Sequence, residues 1–343
     1  MEISEDLRAY IEGIPKAELH IHIEGTFEPE LMEKIANRNG LPFEGTPELH
    51  REMRKHFKDL QDFLDLYYGA CAVLKTEEDF RDLMYSYLER ASRDNVKVAE
   101  IFFDPQSHTE NGLAFETVIN GLHRGLTEGR RDFDVHGNLI MCFLRHLSEE
   151  KAEETLKQAE PFLDKIIGIG LDSGEKGNPP SKFQRVYRRA KELGLRLVAH
   201  AGEECGPDYI TDALDTLNVS RIDHGVRCWE SPELVKRLAE AGIPLTVCPL
   251  SNDKLQVKKR FLEGKNPVKR FLDDGLRITL NSDDPAYFGG YITDNFIATA
   301  REAGLTKADV RNICTNAFMS TFLPEQDKER YLRTVEEFNT AHQ

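Results

Sequence analysis

Eight short runs rich in β-branched and aromatic residues, each followed by a stretch of helical periodicity, constrain this chain more than any other feature. They are "KAELHIHIEG" (16–25), "VKVAEIFFDP" (96–105), "GNLIMCFLR" (137–145), "KIIGIGLDSG" (165–174), "LRLVAHAGE" (195–203), "SRIDHG" (220–225), "IPLTVCPLSN" (243–252) and "LRITLNSDDP" (276–285). Apolar strands that alternate with helices are the pattern of βαβ units, whose parallel strands are buried on both faces. Eight such units predict an α/β fold of the (β/α)8 TIM-barrel type, with a doubly wound open sheet as the second choice.

The helical stretches carry start and stop signals. Thr76 is placed to cap a helix whose apolar positions Phe80, Leu83, Met84, Tyr87, Leu88 and Ala91 share one face. Ser231 and Pro232 open another, and Gly242 closes it before "IPLTV". Between the first two strands lie more residues than one crossover helix needs, including the helical-period run "HREMRKHFKDLQDFLDLYYGACAVL". This region, about 40–75, is expected to be a helical insertion between strand 1 and strand 2 that caps one barrel mouth. With no linker or low-complexity stretch, residues 1–343 are expected to form a single domain.

The formal net charge of -15 argues against a nucleic-acid partner, because affinity for phosphates comes from Lys and Arg. No run is long and apolar enough for a membrane span, and the beginning "MEISEDLRAY" is acidic where a secretory signal is basic. The expectation is a cytoplasmic protein. The six cysteines are scattered without a C-x-x-C pair and read as free thiols.

In a barrel of this kind, chemistry collects at the carboxyl ends of the strands. There the chain places His20, His22 and Glu24; Gly174 and Glu175; His200 and Glu203; His224; and Asp283 and Asp284. His20 and His22, two apart, share a strand face. Two adjacent imidazoles need a cation or buried acceptors, so a metal and a hydrogen-bonded histidine pair both remain open for them alone. With His200 and Asp283 at the same mouth, three neutral nitrogens and one carboxylate suit Zn²⁺, although four protein ligands are one more than a catalytic zinc usually has. No lysine ends a strand to bridge a second metal, which favours one ion over two. Glu203 is better placed as a proton shuttle than as a ligand, and His224 as either a further ligand or an unligated base. Asp284 precedes Pro285, so it is a turn residue or a site residue, and the second requires the backbone to turn after Asp283. His108 and His146 follow strands two and three and are candidates to line the pocket, with surface or structural roles the expectation for both.

Taken together and in order, "HIHIEG", "GLDSGE", "HAGEE", "RIDHG", "CPLSN" and "NSDDPAYFGG" resemble the adenosine and adenine deaminase family over most of the chain. The strings "FFDPQSHT", "CFLRHL", "DLQDFLDLYY" and "HIHIEG" are similar to its adenine deaminase branch. Adenosine-acting members carry aspartate where this chain has Glu24. The resemblance implies one zinc on His20, His22, His200 and Asp283. It also implies Glu203 protonating purine N1, His224 ionising the attacking water, Asp284 near N7, the Gly174 backbone N–H near N3, and Glu24 at the imidazole edge of a free base. Cys205 stands where that branch usually has glycine and Gly174 where it often has serine or alanine, both expected beside the pocket.

The implied reaction is zinc-dependent hydrolysis of adenine to hypoxanthine and ammonia, a step natural to purine salvage. Adenosine, an N6-substituted adenine or a larger adenine derivative is the alternative substrate. A silent purine-binding barrel and metal-dependent ester or amide hydrolysis are weaker readings. The oligomeric state is not legible.

Overall fold

Residues 2–342 are described here in a computed structural model. Each of the eight runs holds a strand: β1 (Lys16–His22), β2 (Val96–Phe103), β3 (His136–Leu144), β4 (Ile166–Asp172), β5 (Arg196–Ala201), β6 (Arg221–His224), β7 (Leu245–Val247) and β8 (Ile278–Leu280). They pair in chain order, each parallel to the next. The last returns to the first through a bridge between Ile21 and Asp283, where His22 N–H donates to Asp283 O at 3.0 Å and Asp283 N–H to His20 O at 3.1 Å. This closes the expected (β/α)8 barrel. β7 and β8 are only three residues long, shorter than their apolar runs, because Pro249 starts a helix after one and the chain turns at Asp283 after the other.

Side chains of β2 and β6 meet across the barrel although the two strands are not neighbours. Arg221 Nη1 donates to Glu100 Oε2 at 2.5 Å, both fully buried, and Arg221 Nη2 donates to Leu19 O. Nearer the mouth, a small apolar cluster of Phe102, Ile140, Cys142 and Val198 lies apart from the larger core that packs strands against helices. The rings of His20 and His22 each sit 5.0 Å from that of Phe102, so the metal-type residues rest on this apolar layer.

After α1 (Glu5–Gly13) and β1 come α2 (Pro29–Arg38), α3 (Pro47–Met53) and α4 (Leu60–Cys71), then α5 (Glu77–Arg93), which leads into β2. α3 and α4 occupy the region expected as a cap. Arg54, just past α3, fastens it to the barrel by donating to Phe27 O at 3.0 Å and Ala286 O at 3.2 Å, its guanidinium 3.9 Å over the Tyr287 ring. Thr76 caps α5 in a capping box with Asp79, and all six apolar positions read from the sequence are buried. Ser231 caps the helix Pro232–Ala241, which ends at Gly242 in the left-handed conformation. All six cysteines are free, and among the described residues no helix is long and apolar enough to cross a membrane.

Candidate active site

Three strand exits turn through the left-handed region at residues other than glycine: Ser173 (φ 73°), His224 (φ 63°) and Asp283 (φ 64°). Each such conformation costs about 1–3 kcal/mol and persists where surrounding contacts over-determine it. At Asp283 the turn overrides strand alternation, so that Asp283 and Asp284 both line the same cavity. Gly25 makes room for the second: a Cβ there would meet Asp284 Oδ1 at 2.0 Å.

One ligand atom from each of His20, His22, His200 and Asp283 falls within 4.8 Å of the others. Asp283 Oδ1 lies 3.1 Å from His20 Nε2 and 3.4 Å from His22 Nε2, and His22 Nε2 lies 3.2 Å from His200 Nε2. The far nitrogens explain why these edges converge. Thr246 Oγ1 gives its proton to Asp223 Oδ1 at 3.0 Å, so it accepts from His20 Nδ1–H at 2.8 Å. That leaves His20 Nε2 as a bare acceptor, buried and without a hydrogen-bond partner. His22 Nδ1 faces Asp172 Oδ2 at 3.5 Å, and His200 Nδ1 faces Asp223 Oδ2 at 3.7 Å. Imidazoles backed by carboxylates or hydroxyls at one nitrogen, with acceptors gathered at the other, are the arrangement of a metal centre. A second group, His20, His224, Cys248 and Asp283, is also close-set, but burial raises the Cys248 thiol well above its usual range and disfavours the thiolate a metal needs.

Beside this centre, His224 Nε2 lies 3.6 Å from Glu203 Oε2 and 3.9 Å from Asp283 Oδ2. Burial, then the neighbouring His20, lowers His224 to about 3, so it is neutral across the physiological range. Burial, reinforced by the charges of Asp283, Glu204 and Glu175, pushes Glu203 well above the usual carboxylate range. Burial and the adjoining Asp283 do the same to Asp284. Burial would raise Asp283 too, but His20, His224 and His22 hold it well below. The site therefore pairs an ionised Asp283 with two carboxyls whose surroundings favour the protonated form, a division suited to acid catalysis.

Glu203, His224, Asp283 and Asp284 line a cavity roofed by Leu60, Phe63, Leu64, Tyr67 and Tyr68 of α4. Two residues expected there stand back from its wall. Glu24 is buried behind it, its Oε1 accepting from Asp104 N–H at 3.2 Å and paired with His108 Nε2 at 3.0 Å, so the wall is Asp104. Gly174 lies in an adjoining hollow with Gln61, His146 and Ser173. Cys205, expected beside the pocket, is not on the wall either: its N–H is turned to Glu175. In both the Glu24 and Gly174 cases the strand has already ended in a turn, which redirects the next residues away from the barrel axis.

A family model described as adenosine deaminase matches residues 15–338. This chain belongs to the adenosine deaminase family. Within it, the chain is 51% identical over 338 residues to an adenine deaminase of Vibrio parahaemolyticus, covering 98% of this chain and 99% of that relative. It is 52% identical over 335 residues to one of Zymomonas mobilis, covering 97% and 98%. Among solved structures it resembles an adenine deaminase from Arthrobacter aurescens (TM-score 0.92, 47% identity, 96% of this chain and 100% of that one). It also resembles an amidohydrolase from Burkholderia ambifaria with bound Zn (TM-score 0.90, 27% identity, 100% and 96%).

The fold also brings to this cluster residues that sequence reasoning passed over. Asp172 and Asp223 stand inside "GLDSGE" and "RIDHG", the first ending its strand as His22 ends β1, so their position was a usable signal. Thr246, one hydroxyl in an apolar strand, offered none. Asp104 follows β2 as Glu24 follows β1, and burial with the Asp172 and Glu24 charges raises its carboxyl well above the usual range.

Proposed function

We propose that this chain hydrolyses free adenine to hypoxanthine and ammonia, in one catalytic domain whose segment 40–75 caps the mouth. The carrying observation is that His20, His22, His200 and Asp283 converge beside Glu203 and His224 in a chain about half identical, end to end, to proteins called adenine deaminase. Three neutral imidazoles and one carboxylate suit a single zinc ion held by those four residues. Bound there, zinc supplies a water acidic enough to attack at neutral pH, lowering its pKa to about 7.

The remaining work falls to the chain. Neutral His224 takes a proton from the attacking water as its oxygen bonds to C6, and returns it to the amino group, so that the C6–N bond breaks and ammonia leaves. Protonated Glu203 gives its proton to ring nitrogen N1, which makes C6 electrophilic and spares the ring a full negative charge. Asp284, in the protonated form that its surroundings favour, donates to N7. Glu24 acts one layer back, holding Asp104 against the cavity, while Gly174 lies outside the wall this reading uses. The largely aromatic roof from α4 offers apolar faces to a bare planar base. The small purine is met in the cytoplasm, and the net charge of -15 gives nucleic acid no attraction.

Ammonia release from adenine and from adenosine by the purified, zinc-loaded protein tests the reading. A kcat/KM for adenine at least about 10³-fold above that for adenosine is expected. Preference for adenosine, or no release from adenine, overturns it.

A further inference from the structure

Glu175 is a buried carboxylate that the reaction leaves unused, and its two oxygens are spent on one loop. Oε1 accepts from Gly202 N–H at 2.8 Å, and Oε2 accepts from Glu204 N–H at 2.7 Å and Cys205 N–H at 2.6 Å. The residues on both sides of Glu203 are thus tied to a single fixed group, while the Glu203 carboxyl has no backbone bond of its own. Arg145, fully buried like Glu175, stands behind this clamp. Its Nη1 lies 3.9 Å from Glu175 Oε1 and donates to His200 O at 2.7 Å, and its Nε donates to Asn178 O at 2.9 Å. Lys182 Nζ in turn donates to Arg145 O at 2.8 Å.

The loop needs such an anchor. Gly202 has φ 74°, and any Cβ there would meet Ile210 Cδ1 at 2.4 Å, so the backbone reverses sharply just before Glu203. A reversal of this kind can swing the following side chain through a wide arc unless its flanking amides are held, and a misplacement of about 1 Å can cost about 10²-fold in rate.

We propose that Glu175, backed by Arg145, is a positioning residue that aims Glu203 at the substrate. The inference rests on the proton-donor role of Glu203 in the function proposed above. Glu175 never meets the purine. It acts through three backbone N–H groups, and Arg145 ties the same group to the backbone of His200, so that proton donor and metal-type residue keep one relative placement.

A double-mutant cycle tests this. Glu175→Gln keeps the shape but turns an amide NH2 toward backbone donors, breaking part of the clamp. Kinetics are compared at equal folded fraction and equal bound zinc. Alone, Glu175→Gln should lower kcat about 10²-fold with KM within about threefold. In a Glu203→Gln background it should cost less than about threefold, because the group it aims is already disabled. Equal losses in both backgrounds, or no loss in the first, overturn the proposal. Should Glu175→Gln not yield folded protein, the same cycle is run with Glu175→Asp, which keeps the charge one methylene short of the loop and is judged by the same outcomes. Release of ammonia from adenine by the parent protein is measured alongside. Its failure would remove the proposed function, whereas a silent cycle in an active parent removes only the clamp.

Discussion

Two Nε2 atoms 3.2 Å apart, on His22 and His200, face each other across a point that Asp283 and His20 also reach. Their other nitrogens are turned to Asp172 and Asp223, an orientation that gathers the inner edges as a cation would need them. His224 differs: its Nε2 looks at Glu203, the proton donor of the proposed reaction. The two kinds of histidine should therefore separate on mutation. His200→Ala should lose both metal and turnover, whereas His224→Ala should keep the metal, by elemental analysis, and lose about 10²–10³ in kcat. The pH profile should carry the same signature. His224, lowered to about 3, is already neutral, so kcat/KM should show no histidine limb near 6.5. In the proposed reaction Glu203 acts protonated and its carboxyl is raised, so activity should hold on the acid side and fall as pH climbs through that raised value. In Glu203→Gln the alkaline fall should vanish along with most of the rate.

Elements matter through the way they end. β1 delivers two histidines on one face by simple alternation, and this much was plain from "HIHIEG". The exits of β6 and β8 were less so. Asp284 was readable only as a turn residue or a site residue until the left-handed backbone at Asp283 put both aspartates on one cavity. Glu24, by contrast, enters a tight turn and retires behind Asp104. Strand periodicity predicts which way a side chain points only while the strand lasts, and these residues lie two to four beyond it. The turn Glu24–Thr26 also seats Asp284. In Gly25→Ala the new methyl would meet that carboxyl before any other group. KM for adenine should rise more than about tenfold while bound metal stays at the parent level, about what the loss of one well-placed hydrogen bond to a charged or buried group costs.

At the scale of the molecule, the barrel closes where the proposed metal would sit: the bridge joining β8 to β1 runs through His20, His22 and Asp283 themselves. An ion held there would pin the seam and β5 together. Chelation should lower the midpoint of thermal unfolding, and added zinc should restore it, since a ligand at a thousand times its Kd stabilises by about 4 kcal/mol. An unchanged midpoint on demonstrated metal removal would show the seam to be closed by its backbone alone. What the chain's order of residues decided was the repeating strand and helix, fixed by local periodicity and capping, and the inventory of imidazoles and carboxyls at strand ends. What only the folded barrel decided was the direction each nitrogen faces. Thr246 and Asp172 reach His20 and His22 from strands distant in sequence, contacts that exist only after closure, while Asp223 reaches His200 from the adjoining strand β6.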